Sequence, residues 1–194
     1  MGKLIVIVGA SGVGKTTLAH ALAHAYPFQT AFEQHLERPF QSLFKQDTQY
    51  ALANQMDYLL YRAEQEHSLR ASPQVGLVDG GLDLDFHGFT RLFHVRELLT
   101  DPEFDLCRRF YLLTRQLLPP PDLVIALSVS EETVRQRLAH RDRINIASSE
   151  DAGLMSQFIE EWLLTLPGKT ILRQDVSDEG VDYPRSIPLI LDRL

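Results

Sequence analysis

A single cysteine, Cys107, leaves this 194-residue chain without an intrachain disulfide or a cysteine-cluster metal site, the pattern of a reducing compartment. Basic charge is also in short supply. Lys and Arg number 19 against 26 Asp and Glu, a net charge of −7, which argues against a sequence-independent nucleic-acid binder that neutralises phosphates with a basic surface. Any anionic ligand must then be held locally. No apolar run approaches the roughly 20 residues needed to cross a bilayer, and residues 1–8 lead into a glycine loop rather than a cleavage site. Val6 stands where a myristoylation signal needs Ser or Thr. Repeats, low-complexity tracts and domain-splitting linkers are all lacking. With 44% hydrophobic residues the expectation is one cytoplasmic domain over residues 1–194, with no membrane and no nucleic-acid partner.

What is present alternates between strand and helix. The β-rich run at residues 4–8 enters a glycine-rich turn, and small and apolar residues recur at helical spacing over 15–25 until Pro27. Residues 30–32 read as a short second strand, 46–70 as a long helix ended by Ser72 and Pro73, and 75–78 as a buried third strand. Helical patterns follow over 86–99 and 103–118. A fourth strand is expected at 123–127, then a helix capped by Ser130 with Glu131 and Glu132 in its first turn, a helix near 151–164 and a strand near 170–172. Such β/α alternation implies an α/β fold: a five-stranded parallel sheet with helices on both faces.

Chemistry concentrates at the first loop. Gly9-Ala10-Ser11-Gly12-Val13-Gly14-Lys15-Thr16 fits G-x-x-x-x-G-K-[ST] in full, between a strand and a helix as the mechanism requires. The glycines let successive N–H groups face inward, and the helix that continues through Thr17 adds its positive end, so the loop forms an anion-binding nest for ATP. Lys15 is expected at the β- and γ-phosphates and the Thr16 hydroxyl on Mg²⁺.

Two strand-end carboxylates and an arginine cluster extend this site. Glu33 follows the second strand, at the carboxyl edge where parallel sheets bind ligands, and suits a general base that takes a proton from an attacking hydroxyl. Asp79 ends the third strand and suits Mg²⁺, directly or through water, or a helix cap. Arg137, Arg141 and Arg143 suit a lid, about 137–150, that closes over ATP and neutralises charge; Arg135 is four residues from Glu131 and is placed to pair with it.

Taken together these segments resemble the deoxynucleoside kinase family of the P-loop kinases, and its deoxyguanosine and deoxyadenosine kinase branch most of all. Glu33-Gln34-His35-Leu36-Glu37-Arg38-Pro39-Phe40 is similar to the family segment that begins E-P-V and closes N-P-F; the helix from Tyr50 to Arg62 is similar to the one whose glutamine pairs with the base; Pro121-Asp122-Leu123 and the R-x-x-x-R-x-R run at 137–143 also match. The resemblance implies Glu33 as catalytic base, Gln55 as base contact, Asp85 as a base-contacting aspartate, Glu150 as a sugar contact, and a homodimer formed through helices near 46–70 and 86–99. Independently, Gln55 and Arg62 lie seven apart on one helix face, and Asp85 is suited to orient Arg62. Three departures stand out. Asp79-Gly80-Gly81 replaces the family's acidic-Arg-Ser, Gln34 replaces a proline, and Phe44 or a neighbour falls where a sugar-binding tyrosine is common. Arg38 or Arg91 is the expected substitute for the missing cation. The expected reaction is transfer of the γ-phosphoryl of ATP to the 5′-hydroxyl of a deoxynucleoside, purine preferred. Alternatives are a kinase for another small acceptor, or a nucleotide-binding protein that has lost turnover.

Overall fold

The computed structural model describes residues 1–31, 38–130, 133 and 149–194, the side chains of 149 and 150 excepted. Five short segments form one parallel sheet: β1 (Leu4–Val8), β2 (Gln29–Ala31), β3 (Gly76–Asp79), β4 (Leu123–Ser128) and β5 (Ile171–Asp175), in spatial order β2-β3-β1-β4-β5. β1 is central, with Ile7 opposite Asp79 on one side and Ile125 on the other. Hence the loop leaving β1 and the end of β3 lie side by side.

A central strand covered on both faces must be apolar throughout, and all five β1 residues are buried. Their alternation splits the core in two. Ile5 and Ile7 pack with Leu18 and Leu22 of α1 (Lys15–Ala25). Leu4, Val6 and Val8 pack with Leu69 of α3 (Ala51–Ala71), and with Ile159, Trp162 and Leu163 of a helix at Ser149–Leu163. Two turns of helix, α2 (Pro39–Gln46), precede α3, separated from it by Asp47 and a 3₁₀ turn at Thr48–Tyr50.

Beyond β3 the chain turns at once into a continuous helical stretch: α4 (Gly81–Leu84), a π-helical turn at Asp85–Thr90, and α5 (Arg91–Val95). It begins five residues before the expected 86 because a double-glycine turn substitutes for a longer loop. α6 (Asp101–Leu117) follows, with the Glu103 carboxylate accepting from the Thr100 N–H at 2.8 Å. Leu59, Leu82, Phe86, Phe93 and Tyr111 build a third cluster between α3, α4–α5 and α6. The helix at Ser149–Leu163 is α7, and α8 (Ser186–Leu191) closes the chain against α1. The expected helix after Ser130 and the lid arginines lie outside the described residues, although the Ser130 hydroxyl accepts from the Thr133 N–H at 3.3 Å as a cap would. Among the described residues no helix is long and apolar enough to cross a membrane.

Candidate active site

The loop between β1 and α1 takes its shape from backbone conformations that side chains disfavour. Gly9, Gly12 and Gly14 all have positive φ, and a Cβ on Gly9 would stand 2.7 Å from the Leu127 carbonyl oxygen. That tight approach fixes the loop over the end of β4. Lys15 opens α1, and its Nζ donates to the carbonyls of Gly9 at 2.9 Å and Ala10 at 3.0 Å, so the amine spans the mouth of the loop. From the far end of the chain, the Tyr183 hydroxyl donates to the Gly14 carbonyl at 3.1 Å. Sequence reading gave no hint of this tyrosine.

Thr16 and Asp79 meet. The Thr16 hydroxyl donates to Asp79 Oδ2 at 2.5 Å, although 63 residues separate them. Asp79 is buried, and its other oxygen, Oδ1, has no hydrogen-bond partner. Such a buried orphan acceptor is costly unless something electropositive fills its place. The donor set, one hydroxyl and one carboxylate, is the hard-oxygen chemistry that Mg²⁺ prefers. Thr16 and Asp79 therefore fit the ion expected of them. Thr17 is exposed on α1.

The face of α3 expected to meet an acceptor is buried against the π-helical turn. Arg62 Nε donates to Asp85 Oδ2 at 2.8 Å and Nη1 to Gln65 Oε1 at 3.1 Å, with the Arg62 side chain 4% exposed. Gln55 spends its amide N–H groups inside the protein, on Thr90 Oγ1 at 2.8 Å and the Asp85 carbonyl at 3.2 Å. Thr90 was not anticipated; only the π-helical turn swings it to the Gln55 side. Phe86 stacks on Tyr111 at 4.2 Å between ring centres and belongs to the core.

Both expected substitutes for the missing arginine are ion-paired in the structure. Arg38 is bound by Asp57 through two 2.6 Å hydrogen bonds and lies over the Tyr61 ring, and Arg91 pairs with Glu161 at 2.6 Å with its guanidinium over Phe158. The Asp57 carboxylate raises the Arg38 pKa further, so its charge is engaged there. Glu33, Arg137, Arg141, Arg143 and the side chain of Glu150 lie outside the described residues.

Comparison with known proteins bears on this arrangement. The family model for deoxynucleoside kinase matches residues 5–187. Deoxyadenosine kinase of Dictyostelium discoideum is 29% identical over 143 residues, 73% of this chain but 58% of that protein, so the chain spans under two thirds of that relative's length. Deoxyguanosine kinase of Bacillus subtilis is 25% identical over 145 residues, 72% of this chain and 67% of that one. Among solved structures, deoxyadenosine kinase from M. mycoides with bound dATP superposes with a TM-score of 0.78 at 21% identity, covering 97% of both chains. The same kinase with bound dCTP gives 0.75 at 18% identity, covering 98% of this chain and 97% of that one. At such identities the structural likeness is one of fold.

Proposed function

Because the chain belongs to the deoxynucleoside kinase family, we propose that it transfers the γ-phosphoryl of ATP to the 5′-hydroxyl of a deoxynucleoside, a purine in preference. The observation that carries this reading is the meeting of Thr16 with Asp79 beside Lys15, which joins the phosphate loop to the neighbouring strand end. The purine preference rests on the two curated relatives, a deoxyadenosine and a deoxyguanosine kinase.

The loop's N–H groups and the start of α1 hold the phosphates, and Lys15 exchanges the Gly9 and Ala10 carbonyls for β- and γ-phosphate oxygens. Thr16 and Asp79 would hold Mg²⁺, which would supply positive charge beside the phosphate oxygens. We assign Gln55, Arg62, Asp85 and Glu150 to the acceptor, and the carboxylate of Glu33 takes the proton of the attacking hydroxyl. The acceptor oxygen forms a bond to the γ-phosphorus, and the bond to the bridging oxygen breaks with its electron pair leaving on ADP. Arg137, Arg141 and Arg143 close over the donor as a lid. One domain spans residues 1–194, its working compartment is the cytoplasm, and it acts as a homodimer.

The test is a panel of deoxynucleosides, nucleotides and sugars with labelled ATP, run beside Lys15→Ala. Label in purine deoxynucleoside monophosphates, lost in the variant with its fold intact, is the expected result. Label in nucleotides or sugars instead would transfer the reading to another small-molecule kinase. No label in any acceptor despite ATP binding would mark a nucleotide-binding protein without turnover.

A further inference from the structure

Between β5 and α8 the chain holds an aromatic residue in a conformation that side chains disfavour. Tyr183 lies at φ 47°, in the left-handed region, where a bulky L-residue persists only if its surroundings over-determine it. Here they do. The Tyr183 N–H donates to the Gly180 carbonyl at 3.3 Å, and its carbonyl accepts from the Ile187 N–H at 3.0 Å. The Glu179 carboxylate accepts from the Arg185 N–H at 3.0 Å and the Ser186 N–H at 3.2 Å. The ring is buried in the core that also contains Leu18 and Leu22 of α1. What this costly geometry delivers is one hydroxyl, placed 3.1 Å from the Gly14 carbonyl of the phosphate loop.

That carbonyl already accepts the first bond of α1, from the Leu18 N–H at 3.0 Å, so Tyr183 occupies its second lone pair. The Gly14 C=O and the Lys15 N–H belong to one planar trans peptide and point in opposite directions. Holding the oxygen from behind therefore sets the direction of the N–H in front. Lys15 opens α1, and its N–H is among the first-turn donors that a helix aims at anions. Resting on the kinase reading above, we propose that Tyr183 is a positioning residue for the ATP phosphates: by holding the Gly14 carbonyl it aims the Lys15 N–H at the phosphate chain and sets its affinity. Donation to the carbonyl also polarises the peptide, which strengthens the N–H as a donor. Tyr183 touches no substrate in this role. Its action is confined to the nucleotide, because Tyr183 packs with Ile5 and Ile7 on the α1 face of the sheet, whereas α3, which carries Gln55 and Arg62, packs on the opposite face with Leu4, Val6 and Val8.

The test titrates ADP, with Mg²⁺ present, into the parent, Tyr183→Phe and Ile190→Val by calorimetry, with melting temperatures and the KM of the preferred deoxynucleoside measured alongside. Ile190 of α8 is buried in the same core, so trimming it loosens the segment while keeping the hydroxyl. Tyr183→Phe is expected to raise the Kd for ADP about three- to tenfold, the worth of one hydrogen bond, with the deoxynucleoside KM within about twofold of the parent's. Ile190→Val is expected to melt earlier and to bind ADP like the parent. Unchanged ADP affinity in a folded Tyr183→Phe overturns the proposal, and so does an equal loss in Ile190→Val, which would make the effect one of packing. Should Tyr183→Phe fail to fold, a structure of the parent with ADP decides: the Lys15 nitrogen within about 3.2 Å of a phosphate oxygen while Tyr183 still meets Gly14 supports the role, and either contact missing overturns it. A parent that binds no ADP defeats the kinase reading and this inference together. A parent that binds ADP but labels no acceptor defeats the kinase reading alone, and an active parent whose Tyr183→Phe binds ADP unchanged defeats this inference alone.

Discussion

At Gly80 the backbone occupies a region of φ and ψ that an L-residue enters at a cost on the order of 1 to 3 kcal/mol. An arginine introduced there also brings a second guanidinium toward Arg62, whose Nη2 is 3.5 Å from the position of the new Cβ. Gly80→Arg is therefore expected to lower the melting temperature and to leave kcat no higher than the parent's. A stable variant with a faster turnover would mean that the strand end does lack a cation. The residues of the phosphate loop were legible in sequence because their motif is local and each has a backbone or phosphate duty of its own. Gln55, Arg62 and Asp85 were legible as a neighbourhood, yet the direction in which Gln55 spends its amide, toward Thr90, depends on how two helices meet. The partners of Arg38 and Arg91, Asp57 and Glu161, were not legible because they are 19 and 70 residues away.

At the scale of the element, the stretch from Gly81 to Val95 is where helical periodicity fails as a guide. The π-helical turn at Asp85–Thr90 inserts extra chain between α4 and α5, so residues on either side no longer share the face that a 3.6-residue repeat assigns them. This turn lodges His87 among rings: its Nε2 donates to the Tyr111 hydroxyl at 3.0 Å, since that hydroxyl donates to Asp83, and its ring stacks on Trp162. Burial, with Arg91 and Arg115 nearby, pushes the His87 pKa down to about 4 from 6.5. The unfolded chain then binds this proton below pH 6.5 while the folded one does so only near 4. Stability falls as pH drops through that interval, by a total on the order of 3 kcal/mol, and levels off below it. Urea midpoints for the parent and His87→Gln between pH 4 and 7 check this. The variant should show the shallower slope, and parallel slopes would remove His87 as the cause.

For the molecule as a whole, the parallel sheet and its two covered faces could be read from alternating elements, because the three inner strands β3, β1 and β4 announce themselves by short buried runs. Strand order could not, since pairing between β1 and β4 joins segments more than a hundred residues apart. The homodimer is a proposal at this scale. The resemblance implies an interface on helices near 46–70 and 86–99, but the exposed apolar stripe lies on α6, where Leu106, Leu113 and Leu117 are 42%, 57% and 67% exposed at spacings of seven and four. Placing a charge there, as in Leu113→Asp with Leu117→Asp, should convert a dimer to a monomer in light scattering while the fold survives. An unchanged mass would move the interface to another face.

Tyr183 gives the phosphate loop a place in time as well as in space. The loop leaves the ribosome before its brace, because the hydroxyl that meets Gly14 is made 169 residues later. At roughly 5 to 20 residues per second, on the order of ten seconds of synthesis separate the motif from its brace. A nascent chain thus carries every letter of its ATP signature long before it has the finished loop, and ATP becomes a folding ligand only once Tyr183 has been made.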